Sequence, residues 1–361
     1  MGYFKDIELK NYRNFTKYSI EFSNKCNVLY GKNGSGKTNI LEAISLFNKG
    51  RGIRKDQINN FIQSNENNFC NFANFEENNN IYKLKVISEK SKKNLSKKIY
   101  LNNDLSKEAL DRLYKLFSFL IFLPETERLF LASPNFRRNF IDSFIFSKNN
   151  NHNTLINKYK RNILERSKAL NLNTFENSWI QKLEENISAL GIEIYNQRKI
   201  QILSLKKNIS FLNKNEKLPF EIDIKLIDKF FADDLNFERY VDELKKSREI
   251  DKLVGGANKG PHKSDYLFLV NNDFMVSQLS TGQQKTIILL LFLAQSNYLV
   301  NQCNLNPILL MDEVCSHLDE LNRKLLLKLT EQFNLQIFMT GTDKNLFSFL
   351  STNTNFCNIT V

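Results

Sequence analysis

Eight residues, Gly31, Lys32, Asn33, Gly34, Ser35, Gly36, Lys37 and Thr38, have the spacing G-x-x-x-x-G-K-[ST]. Glycines at 31, 34 and 36 let the backbone turn sharply, so that successive N–H groups point into one concavity. Val28, Leu29 and Tyr30 read as the end of a buried strand, and Ile40, Leu41, Ile44 and Phe47 fall on one helical face. The concavity therefore sits at a helix N-terminus, where the dipole also favours an anion. Lys37 can reach β- and γ-phosphates, and the Thr38 hydroxyl can ligate Mg²⁺. This is phosphate-loop chemistry, with ATP and Mg²⁺ as the expected cofactors.

A phosphate loop that hydrolyses its nucleotide needs a second strand ending in an acidic residue. The run FSFLIFLPE, Phe117 to Glu125, is one candidate, but Pro124 interrupts the strand end and no aspartate follows. The run PILLMDEVCSHLD, Pro307 to Asp319, fits better. Ile308–Met311 reads as a buried strand that places Asp312 at its end, facing Mg²⁺ directly or through water. Glu313 is then placed to polarise the attacking water as general base. Thr38 and Asp312 stand 274 positions apart, so something large is inserted between the two halves of the site. Just before the acidic strand comes QLSTGQQKTIILLLFLAQ. Ser280 reads as an N-cap and Gln283, three residues on, completes a capping box. This segment is either a well-capped core helix or a second anion-binding helix terminus, carrying a hydroxyl and the Gly282 backbone toward a γ-phosphate.

Composition narrows the class. A chain of 361 residues holds one large domain or two smaller ones. Charges scattered from the fifth residue argue against a secretory signal, and the apolar run Ile287–Ala294 is too short to span a bilayer. Five cysteines without a C-x-x-C pair, and three histidines, argue against a zinc site and for a reduced, cytoplasmic protein. The net charge of +12 invites a nucleic-acid partner. It does not decide for one, because the lysines accompany an excess of Asn, Ile and Phe of the kind an AT-rich genome encodes.

The middle of the chain must supply the insert. Residues Ile81–Tyr100 alternate and turn through EKSKKNLSKK, which predicts strands joined by a lysine-rich tip. Ser133-Pro134 predicts a helix start and places Arg137 and Arg138 in its first turns. From Leu155 to about Leu205 the pattern is helical. Ile180, Leu183, Ile187, Leu190 and Ile194 follow a three-four spacing, as a packed antiparallel helix pair would. Its length suits a short lobe, not a rod. The expected organisation is an ATPase head from 1–120 and 251–361, with a mainly helical lobe at about 121–250.

The signature and acidic strand resemble those of ABC-type ATPases, an α/β fold in which LSGGQ-like segments complete the ATP site of a partner subunit. The order NYRNF, GKNGSGKTNILEAI, FLPETERLFLASPNFRRNFID, GPHKSD, LSTGQQK, MDEVCSHLDELNR and FMTGTD is similar to that of the RecF family, recombination-mediator ATPases related to the SMC proteins. The resemblance runs from Asn11 to Asp343. It implies an ABC-type P-loop head with mixed sheet, an inserted helical lobe, and an ATP-dependent homodimer on DNA that is single-stranded, double-stranded or gapped. It also implies help in loading recombinase, with RecO and RecR as partners, in repair, recombination, replication and the SOS response. Each ATP would be gripped by the loop of one chain and by Ser280, Gly282 and Gln283 of the other. Arg13 falls where related heads place a basic residue near phosphate, though it also reads as a surface arginine after a strand. Asp319 resembles the aspartate that crosses the dimer interface. His262, inside the block Gly260–Asp265, reads as structural.

Two departures qualify the resemblance. Related SMC heads carry glutamine where Glu125 falls. Transporter-type heads carry a switch histidine where this chain offers Thr340 and Thr342. Both imply slow hydrolysis, which suits a timer or clamp. An ATP-gated clamp with negligible turnover is the nearest alternative. A transporter subunit is opposed by the helical insert and the missing histidine.

Overall fold

A computed structural model of the chain describes residues 2–91, 94–172, 177–216, 221–228, 230, 235–271, 273–316 and 318–360. In chain order the elements begin with β1 (Gly2–Tyr12), β2 (Phe15–Glu21), β3 (Cys26–Tyr30), α1 (Lys37–Ser45), β4 (Cys70–Glu77), β5 (Asn80–Ser91), β6 (Asn94–Leu101), α2 (Lys107–Leu116) and β7 (Phe119–Phe122). Next come α3 (Pro134–Lys148), α4 (His152–Leu172), α5 (Asn177–Glu216), β8 (Ile222–Ile227), α6 (Phe237–Lys246), α7 (Arg248–Val254), β9 (Asp265–Val270) and β10 (Phe274–Met275). The last are α8 (Thr281–Cys303), β11 (Ile308–Met311), α9 (Glu320–Glu331), β12 (Ile337–Gly341) and β13 (Asn355–Asn358). They form two compact units, Met1–Glu127 with Thr281–Val361, and Arg128–Ser280. The lobe expected at 121–250 thus runs on to 280 in this division, because β9 pairs with β8 and β10 with β9.

The first unit holds two five-stranded sheets. One has the order β13-β3-β12-β11-β7 and is parallel throughout. Ile308–Met311 and Ile337–Gly341 are buried at every position, as expected of strands covered on both faces. The other sheet, β2-β1-β4-β5-β6, is antiparallel. In β1 the buried residues Ile7 and Leu9 face one way and Glu8 and Lys10 the other. A register shift between Phe4 and Asp6 keeps Phe4 on the buried side. Phe4 stacks on Phe119 of β7 and meets Phe75 and Phe117, so an aromatic cluster joins the sheets. The Gln336 amide pairs with both backbone groups of Phe4, at 2.7 and 2.8 Å. The hairpin predicted at 81–100 is β5–β6. Lys92 and Lys93 of its lysine-rich tip lie outside the described residues.

Helix α8 is long and apolar enough to cross a membrane by length and composition, but 78% of that stretch is buried inside the protein. A helix apolar on all sides serves here as the core of the unit, packed on α9 and, through Phe292, on Phe122 of β7.

The second unit is built on α4 and α5. His152 meets Gln197, Tyr159 lies against Gly191 and Arg166 meets Glu184. Partner numbers fall as position rises, so the pair is antiparallel as the spacing predicts. Ile180, Leu183, Ile187 and Ile194 are buried in it. Ser133 caps α3 by accepting from the Phe136 N–H, with Pro134 in the first turn.

Candidate nucleotide site and its supports

Parallel pairing brings the C-terminal ends of β3, β12 and β11 to one edge of the sheet, where α/β folds place their ligands. From the end of β3 the chain turns through residues 31–36 into α1. Gly36 makes that turn with φ +93°, and a Cβ there would lie 2.5 Å from the Phe15 ring. No other residue suits that position. The N–H groups of the first turn of α1 have no partners within the helix, and no acidic side chain occupies that turn.

Lys37 is buried, and its ammonium donates to the Gly31 carbonyl at 2.7 Å and the Lys32 carbonyl at 2.9 Å. Burial pulls its pKa below the usual lysine range, with Glu313 and Asp312 pulling the other way. Ser35 Oγ is buried without a hydrogen-bond partner among the described residues. A phosphate suits this cradle: it would meet the Ser35 hydroxyl, the N–H groups of a helix start and an ammonium that, among the described residues, donates to two carbonyls. The Thr38 hydroxyl lies 2.9 and 3.0 Å from the two Asp312 oxygens. Hydroxyl and carboxylate oxygens are the hard donors Mg²⁺ prefers.

Asp312 is 5% exposed, and its N–H donates to Phe122 of β7 at 2.9 Å. Glu313 is exposed, with φ +51°, an uncommon backbone conformation for a glutamate. Thr340 of β12 touches both acids. Its hydroxyl donates to Asp312 Oδ1 at 2.6 Å and accepts the Glu313 N–H at 2.9 Å.

The structure brings together the loop, Asp312 and Glu313. Gly282 and Asp319 also meet: a Cβ on Gly282 would be 3.8 Å from Asp319 Oδ2, while Oδ1 caps α9 by accepting from the Asn322 N–H at 2.8 Å. Ser280 directly precedes α8, and both it and Gln283 are exposed. Arg13 is engaged elsewhere. Its guanidinium pairs with Glu42 at 2.7 Å and Asp56 at 3.0 Å, over the Phe61 ring. Glu125 is exposed, and Glu127 two residues on pairs with Lys285 at 2.7 Å. Lys285 also donates to the Ser316 carbonyl, tying the signature helix to the turn after the acidic strand. Sequence reasoning passed over Lys285 and gave Thr340 no contact.

In the second unit, Gly260–Asp265 forms a knot. Gly260, at φ +128°, leaves no room for a Cβ between the Tyr159 and Tyr240 hydroxyls. His262 Nδ1 accepts from Tyr159 at 2.9 Å and Nε2 donates to the Ala257 carbonyl at 2.8 Å. Burial pushes the His262 pKa down to about 4, so the ring is neutral and structural. Arg137 grips Asp265 with two bonds of 2.7 Å. Arg198 spans Asp142, Pro261 and Ser264. Burial opposes ionisation of Asp142, yet Arg198 and His152 hold its pKa at about 2.

A parallel sheet carrying a phosphate loop and an acidic pair at one edge, a long signature helix and an inserted helical unit together define an α/β P-loop ATPase head of the ABC type. The model of the RecF/RecN/SMC N terminal domain family matches residues 3–359. The DNA replication and repair protein RecF of Rickettsia prowazekii (strain Madrid E) is 33% identical over 342 residues, covering 93% of each chain. Two solved structures, of the recombination mediator protein RecF-ATPrS and RecF-ATP in the RecFOR pathway, superpose with TM-scores of 0.82 and 0.81 at 25% and 26% identity. They cover 97% and 95% of this chain and 94% and 92% of theirs. The chain belongs to the RecF family.

Proposed function

We propose that this chain is a DNA-dependent ATPase of slow turnover that dimerises on gapped or single-stranded DNA when ATP is bound. In this role it helps load recombinase in the cytoplasm, with RecR and RecO as partners. One observation carries the reading: Thr38 and Asp312, 274 residues apart, meet at 2.9 Å beside a buried Lys37.

Residues 31–38 cradle the β- and γ-phosphates, with Lys37 turning from its two carbonyls toward them. Thr38 and Asp312 would hold Mg²⁺, which when bound neutralises charge on the phosphate oxygens. Glu313 accepts a proton from the attacking water. Ser280, Gly282 and Gln283 serve the site of the second chain, and the exposure of Ser280 and Gln283 suits that task. Asp319, beside Gly282, acts at the same boundary. For Arg13 to reach a phosphate it must exchange Glu42 and Asp56 for the nucleotide.

The test is Glu313→Gln. The variant is expected to bind ATP as the parent does, because Asp312 is untouched, and to persist as an ATP-bound dimer on gapped DNA. Its phosphate release should fall by ~10²–10⁴-fold, the usual worth of a general base. Failure to bind ATP would show that the roles of Asp312 and Glu313 are misassigned. A parent protein that binds ATP without releasing phosphate is instead the gated clamp.

A further inference from the structure

We infer that Thr340 is a positioning residue for both acids of the site, orienting the Asp312 carboxylate and setting the direction of Glu313 without touching the nucleotide. This rests on the ATPase reading above.

Strand order makes the placement possible. β12 lies between β3, which leads into the phosphate loop, and β11, which ends at Asp312. Thr340 pairs with Leu29 on one side, and Met339 pairs with Met311 on the other. Its side chain is fully buried, next to the start of the acidic turn.

Both ends of its hydrogen-bonding capacity are committed. A threonine hydroxyl has one proton to give and lone pairs to accept with. The Glu313 N–H can only donate, which leaves the hydroxyl proton for the 2.6 Å contact with Asp312 Oδ1. The 2.9 Å contact from the Glu313 N–H takes a lone pair. Neither role can reverse. The second bond is made at the residue whose φ is +51°. Left-handed backbone is unfavourable for glutamate, and the bond to its N–H helps hold Glu313 there, together with the Ser316 bonds to its carbonyl. That conformation decides where the Glu313 carboxylate projects from the strand end. Thr38, in the helix that follows β3, also lies 2.9 and 3.0 Å from the Asp312 oxygens, so two hydroxyls hold the carboxylate.

Thr340→Val keeps the shape and removes the hydroxyl. It leaves the Glu313 N–H without this acceptor and Asp312 with one donor fewer. With saturating ATP and gapped DNA, phosphate release by Thr340→Val should fall at least ~10-fold while KM changes by less than about threefold, the pattern of a lost transition-state interaction. Thr340→Ser, which keeps the hydroxyl, should retain most of the parent rate. Adding Thr340→Val to Glu313→Gln should cost little more than Glu313→Gln alone, because the threonine works largely through that glutamate. Should the valine variant fail to fold by thermal melt, the same comparison is made between Thr340→Ala and Thr340→Ser. Turnover in the valine or alanine variant equal to that of serine would overturn the proposal while leaving the ATPase reading intact. Full additivity with Glu313→Gln would overturn the claim that the threonine sets the direction of Glu313. A parent protein that hydrolyses no ATP would remove both readings together.

Discussion

Lys37 sits in a slot framed by two carbonyls of its own loop, Gly31 and Lys32, at 2.7 and 2.9 Å. A compact ammonium fills such a slot, whereas a planar guanidinium needs a wider fork of acceptors. Lys37→Arg should therefore keep the charge and the fold, seen as an unchanged melting temperature, yet weaken ATP binding by at least ~10-fold, or about 1.4 kcal/mol. Calorimetric titration with ATP checks this, and an unchanged affinity would remove Lys37 from the site. At this scale, legibility follows sequence distance. The loop and the Asp312-Glu313 pair were readable because each is a short run with telling spacing. Thr340 was not, because a single threonine in a buried strand carries no signal until strand order sets it between β3 and β11. The same holds for Arg13, whose partners Glu42 and Asp56 lie 29 and 43 positions away.

Among the elements, the helix pair was legible in its apolar period. Its true end was not: α5 continues to Glu216, with Ile202, Leu205, Ile209 and Leu212 buried beyond the stretch where the three-four pattern was counted. The strands of the inserted unit were also missed, because pairing of β8 with β9 joins segments some forty residues apart (Ile222 with Val270 at one end). The knot around Gly260–Asp265 gives this unit a measurable pH response. His262 has a folded pKa of about 4 against 6.5 when unfolded, so the unfolded chain binds the extra proton first. Stability is full above about pH 6.5 and is lost as pH falls toward 4, by on the order of 3 kcal/mol. Asp142, held at about 2 against 3.8, contributes above 3.8 and is lost only between 3.8 and 2. Trp179, the sole tryptophan, lies on α5 and reports this unit. Urea unfolding followed by its emission should show a midpoint falling between pH 6.5 and 4. His262→Gln, which can donate to Ala257 and accept from Tyr159, should flatten that slope. Equal slopes in parent and variant would mean that His262 is not the titrating group.

For the molecule as a whole, the net charge of +12 suits a polyanion partner without specifying one, and family membership supplies the stronger reason to expect DNA. The feature that distinguishes an ABC-type head from a self-contained ATPase is that its signature serves another chain. The central claim is therefore a composite site, with the loop of one chain and Ser280 of a second gripping one ATP. Ser280→Arg should leave ATP binding by the monomer nearly intact while blocking dimer formation and hydrolysis, and Lys37→Met should disable the loop alone. The decisive measurement is phosphate release from a mixture of Ser280→Arg and Lys37→Met chains, with ATP binding by each variant measured beside it. The account predicts two inactive proteins that partly recover turnover when mixed, since each heterodimer contains one site with both an intact loop and an intact signature. Loss of ATP binding by the Ser280→Arg monomer on its own would contradict it, because Ser280 would then belong to the site of its own chain.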